Sequence, residues 1–115
     1  MLFRSLNYFI GNGYVADNNG DPLKASYVLI KFASKPLASR VYRIGNQDNL
    51  GASECYLKIN AGEDYRALSF GEPVNVTVNN GEVSISFSSL SLTIFDTYNT
   101  IIGSAKVTGS VFEGR

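Results

Sequence analysis

The dipeptide Asn80-Gly81 stands between two stretches of strict alternation, and no other feature of the chain narrows its fold as far. Before it, Val74, Val76 and Val78 alternate with Asn75, Thr77 and Asn79; after it, Val83, Ile85 and Phe87 alternate with Ser84 and Ser86. A period of two places the apolar set on one face of an extended strand. Asn-Gly suits the centre of a type I′ turn, where both residues need positive φ; glycine takes it freely and asparagine tolerates it. Counting outward pairs Val78 with Val83, Val76 with Ile85 and Val74 with Phe87, and sets Asn79, Thr77 and Asn75 against Glu82, Ser84 and Ser86. A slip of one residue would oppose valines to serines and turn one apolar face to water, so turn chemistry and binary pattern select the same register.

Past Phe87 the apolar parity changes to Leu90, Leu92 and Ile94, which predicts a bulge or sharp bend at Ser88-Ser89 that carries the chain from one sheet to another. Further strands are predicted over 8–16, 27–32, 41–44, 54–59 and 101–112, separated by turn-forming stretches. Cys55, alternating with Leu57 and Ile59, reads as a small buried apolar group. The one helical candidate is 61–68, which is short and has no sustained 3.6-residue period. Gly11, Gly13, Gly103 and Gly109 fall inside predicted strands, where coiling or close backbone approach would explain them. These elements predict a single domain, 1–115, that is all-β. The expected architecture is an antiparallel β-sandwich or small lipocalin-like barrel of about 7 to 9 strands with at most one short helical turn.

Composition removes several function classes. Ten basic and ten acidic residues cancel, so there is no broad positive field to collect a nucleic acid. No window is long and apolar enough for a membrane-spanning helix. One cysteine allows no intrachain disulfide and says nothing of compartment. The first ten residues mix Arg4, Ser5 and Asn7 into a short apolar stretch unlike a signal peptide. That leaves a cytosolic chain, or one whose export signal lies upstream of Met1.

The chain has no histidine, which excludes Ser-His-Asp and Cys-His nucleophile systems and the HExxH zinc site. Glu54, Glu63, Asp64 and Glu72 could supply the carboxylate pair of a glycosidase, but solvated charges beside loops are the plainer reading. Asp17, Asn19 and Asp21 put oxygen ligands at alternate positions, as at the opening of a calcium loop, but the bidentate acid that should follow is missing, and an Asx-rich surface turn is the favoured reading. Gly11-Asn12-Gly13 lacks the helix a phosphate cradle needs. Asn75-Val76-Thr77 fits a glycosylation sequon inside a strand that the hairpin already explains. No cofactor is expected.

The most suggestive surface is the outward side of the middle strands, where Tyr27, Lys31, Arg43, Tyr56 and Lys58, with Leu29 and Val41, share a face. Rings and flexible cations together can stack on sugars or hold an acidic partner, although tyrosine and long lysine stems are also ordinary strand residues.

Leu29-Ile30-Lys31-Phe32, Lys35-Pro36, Val41-Tyr42-Arg43-Ile44, the 74–87 ribbon and Lys106-Val107-Thr108-Gly109-Ser110-Val111 together resemble the small secreted or lipoprotein β-domains of unknown function found in Bacteroidetes. The likeness runs from about Tyr8 to Val111. It implies an extracytoplasmic location, at the periplasm or cell surface, with export signal and lipid-bearing cysteine upstream of Met1. It implies no catalytic residue.

The expected function is therefore a non-enzymatic extracytoplasmic binding or structural module. Its expected partner is a cell-surface glycan or protein, and sheet edges offer a route to homo-oligomers. The alternatives are a lipocalin-like carrier of a small apolar ligand and, less favoured, a carboxylate-dependent glycosidase.

Overall fold

In the computed structural model, which describes residues 8–113, Asn80 and Gly81 take φ of 55° and 78°. The strands they join pair from Asn79↔Glu82 to Asn75↔Ser86 in the predicted register. Val74, Val76, Val83, Ile85 and Phe87 are all buried, so the alternation does sort core from surface.

Among the described residues nine strands make one sheet: β1 (Tyr8–Ile10), β2 (Asn12–Asp17), β3 (Tyr27–Phe32), β4 (Arg40–Ile44), β5 (Glu54–Asn60), β6 (Asp64–Arg66), β7 (Pro73–Asn79), β8 (Glu82–Phe95) and β9 (Ile101–Phe112). Among the described residues none is helical, and no helix is long and apolar enough to cross a membrane. The helical reading of 61–68 is wrong: Gly62, at φ 81°, turns the chain back, and Asp64–Arg66 forms a strand between β5 and β8. That strand closes the ring β5-β4-β7-β8-β6 into a small barrel. Two sheet neighbours outweigh whatever local helix preference an eight-residue segment has.

The barrel depends on the break in β8. Ser89 takes φ 51°, its amide donates to Thr108 Oγ1 at 3.0 Å, and the register against β9 shifts between Phe87 and Leu90. Before the break β8 pairs with β7, and after it with β6. The bulge at Ser88-Ser89 thus lets one 14-residue strand serve two parts of the ring. Two details depart from expectation. β4 and β5 run parallel, through Arg43↔Glu54 and Ile44↔Cys55, where an antiparallel sheet was predicted. The predicted strand 8–16 divides at Gly11, so that β1 pairs with β3 and β2 with β9.

One core fills the interior. Ile30, Phe32, Leu57 and Ile59 from β3 and β5 meet Val83, Leu90, Leu92, Val107 and Val111 from β8 and β9, all at most 2% exposed. Cys55 lies in this core, and burial first, then the charge of Glu54, pushes its thiol up to about 12. It is apolar filler with no thiolate to offer.

The two ends of the described chain are fastened together. Tyr8 donates its hydroxyl to Glu113, the Val83 amide donates to Glu113 Oε1 at 2.7 Å, and Lys35 Nζ stands 3.5 Å from Oε2. The tyrosine hydrogen bond leads the causes that hold the Glu113 carboxyl below its ordinary 4.5. A carboxylate depressed in the folded state stabilises fully above its unfolded pKa and loses that contribution as pH falls through the lower folded value. Urea unfolding followed downward from neutral pH should therefore show Glu113→Gln less stable than the parent near neutrality. The gap should narrow as pH drops below 4.5.

Candidate outward faces

The register puts the predicted basic group on one outer face. Tyr27, Leu29 and Lys31 of β3 stand opposite Asn60, Lys58 and Tyr56 of β5, and Arg43 stands opposite Glu54. The side chains are not equally available. Tyr27 is 42% exposed, whereas Tyr56 is only 3% exposed, and its hydroxyl has no hydrogen-bond partner among the described residues. Burial raises the Tyr56 pKa, partly offset by Arg66. Lys31 Nζ donates to the Gln47 carbonyl at 2.7 Å, and Arg43 Nη1 to the Gly71 carbonyl at 3.0 Å. Alternation identifies the outer parity, but it does not show that Tyr56 is covered or that two of the cations are tied to loop carbonyls. Tyr27 and Arg43 are exposed on this face, while Lys31 and Lys58 are half-buried.

A second stretch of outer surface, of which the sequence reading named only Val41, lies across β4, β7, β8, β9 and β2. Val41, Asn75, Ser86, Ser110 and Tyr14 are consecutive cross-strand partners in one row, and Thr77, Ser84 and Phe112 follow in the next. The row crosses five strands, about 19 Å at about 4.8 Å per strand. Val41, Tyr14 and Phe112 are 47%, 55% and 50% exposed. Tyr14 and Phe112 are diagonal neighbours, within reach of one another's surroundings. No member of either row carries a charge. The core valines and isoleucines beneath hold the backbone of this face, so its side chains stand on a rigid support.

Asp17, Asp96, Glu54, Glu72 and Asp64, by contrast, are engaged locally. Asp17 Oδ1 accepts from the amides of Asn19 and Asp21 at 2.9 and 3.0 Å, and Gly20 closes that turn with φ 83°. The candidate calcium ligands Asp17, Asn19 and Asp21 thus make an Asx turn with its own amides as partners. Asp96 repeats the device, accepting from Tyr98 and Thr100 with Asn99 at φ 64°. Both turns lie in stretches, 17–22 and 96–100, that the sequence marks as turn-forming. Glu54 Oε1 accepts from the Gly51 amide, Glu72 holds both amide and hydroxyl of Ser91, and Asp64 pairs with Arg66 at 3.2 Å. Of the proposed glycosidase carboxylates, Glu63 and Asp64 line a recess of about 80 Å³ with Asp96, while Glu54 and Glu72 are not among its lining residues. Among the described residues no group of three or more His, Cys, Asp and Glu side chains is placed to hold a metal.

A groove of about 260 Å³ includes Lys35, Leu37, Arg40 and Tyr42 in its lining. Its cations also have partners: Lys35 has Glu113, while Arg40 donates to the Ala52 carbonyl at 3.1 Å and stacks 5.1 Å from the Tyr42 ring. No family model matches the chain, and comparison with the curated proteins and with solved structures returns no match.

Proposed function

We propose that the protein is a non-enzymatic binding module working outside the cytoplasm, and that its working surface is the uncharged face of β4, β7, β8, β9 and β2. The observation that carries this reading is the contrast between the two kinds of polar group. Of the carboxylates that chemistry would require, Asp17, Glu54 and Glu72 accept hydrogen bonds from backbone amides and Asp64 pairs with a neighbouring arginine. The hydroxyls, amide and rings of the uncharged face point outward from strands fixed by the core. The partner is a component of a cell surface, glycan or protein, in keeping with the resemblance to secreted and lipoprotein β-domains. An apolar-ligand carrier is less favoured because the interior positions are filled by aliphatic side chains.

An array carrying cell-surface polysaccharides and receptor ectodomains tests the assignment. The parent protein should be retained on at least one feature, the double variant Tyr14→Ala/Phe112→Ala should lose that retention, and Tyr27→Ala should keep it. Loss with Tyr27→Ala and retention with the double variant would transfer the function to the basic face. Tyr56 is unsuitable for such a test, since truncating a side chain buried to 3% exposure would disturb packing as well as binding.

A further inference from the structure

Resting on that reading of the face, we infer that its ligand is a neutral polysaccharide, laid across the strands with sugar rings against Tyr14 and Phe112. Three observations select this chemistry. First, ten basic and ten acidic residues are present in the chain, yet the rows through Ser86 and Ser84 contain none of them. An acidic glycan or a charged protein patch would find no countercharge within those rows, and Arg43, which borders them beside Val41, already donates to the Gly71 carbonyl; a neutral chain leaves no charge unpaired.

Second, the aromatic contribution is two exposed rings at one side of the face, at 55% and 50% exposure, with Val41 the apolar group at the other side. Aromatic faces suit the C–H surface of a pyranose, which is apolar in the middle and polar around its rim. Third, the polar groups of the rows are Ser, Thr and Asn, which both donate and accept and so match the hydroxyl rim of a sugar without regard to sign. Because the strands are already fixed by the core, these groups lose little freedom on binding, which matters most for a ligand that gains nothing from charge. The register is uninterrupted through both rows; the shift in β8 comes after Phe87, beyond them.

The test uses the whole chain with xylan, mannan and β-glucan as neutral probes, polygalacturonate as the acidic one and the array's receptor ectodomains as protein probes, with affinity electrophoresis and array retention as the readouts and sedimentation in parallel. Binding to at least one neutral probe is expected, unchanged by added salt because no ion pair contributes. Tyr14→Ala and Phe112→Ala should each weaken it about tenfold or more, the loss expected for one ring's apolar contact. Tyr14→Phe keeps the ring and should keep the affinity; an unaltered urea midpoint for each variant shows that the fold survives. Ring-dependent binding only to polygalacturonate or to an ectodomain would overturn this inference and leave the face assignment standing. Ring-dependent self-association without polysaccharide binding would also overturn it and identify the occupant as a second copy. No ring-dependent binding to any probe would overturn both.

Discussion

Replacing Phe32 with alanine should destabilise the protein by about 3 to 5 kcal/mol, the range for removing a buried aromatic ring. Phe32 is fully buried at 0% exposure, meets the Tyr42 ring edge-on at 5.3 Å and lies 6.0 Å from the Tyr8 ring. Its backbone sits between Tyr8 of β1 and Cys55 of β5, so its ring ties the terminal segment to the barrel. Small domains are stable by about 5 to 15 kcal/mol in total, and this variant should consume a large part of that margin. Phe32→Leu keeps much of the volume and should cost markedly less. Urea unfolding of the three proteins measures the difference. An alanine variant within 1 kcal/mol of the parent, well under the usual cavity cost, would mean that the ring is not in the core.

Gly109→Ala should be nearly as damaging, for a different reason. A Cβ on Gly109 would stand 2.7 Å from Val15 Cγ1 and 3.1 Å from Val15 Cα, with the Tyr14 carbonyl closer still. Gly13, on the facing strand, is equally confined: its Cβ would lie 2.8 Å from Val111 Cα. Backbone cannot retreat without breaking the β2–β9 pairing, so overpacking here should cost about 1 to 3 kcal/mol or more. Gly103→Ala is the internal control. Its Cβ would have Ile94 Cδ1 as its nearest neighbour at 3.9 Å, so the substitution should be tolerated, with a small gain from the lower chain entropy of the unfolded state. Thermal unfolding should separate the two variants clearly. Because the clash displaces the Tyr14 backbone, Gly109→Ala should also weaken any ligand held by that ring.

These expectations show where the sequence is informative. The 74–87 ribbon is legible because turn residues and alternation specify the same register, and a one-residue error would reverse both faces. The bulge is legible because the apolar parity changes at Ser88-Ser89. The ring closure is not. Asp64–Arg66 is three residues long, too short for a period, and its strand state comes from a tight pairing back onto Ile59 and from Ile94, remote in sequence. The parallel approach of β4 to β5 is also invisible locally, since it rests on where the connection from Gly45 to Ser53 delivers the chain.

The candidate surface divides in the same way. Outer parity was correct for Tyr27, Lys31, Arg43, Tyr56 and Lys58, but covering of Tyr56 is a tertiary property. The uncharged face was overlooked because its members come from five strands spread between Tyr14 and Phe112, and each taken alone is an ordinary polar or aromatic strand residue. Only the strand order assembles them.

That assembly is the claim on which the functional reading stands, and backbone NMR tests it directly. Cross-strand NOEs should connect Asn75 to Ser86, Ser86 to Ser110 and Ser110 to Tyr14, following the row across the sheet. Contacts that instead link Ser110 to Gly13 or Val15 would mean a register slipped by one residue. Tyr14 would then lie opposite a core position, and the account would be contradicted.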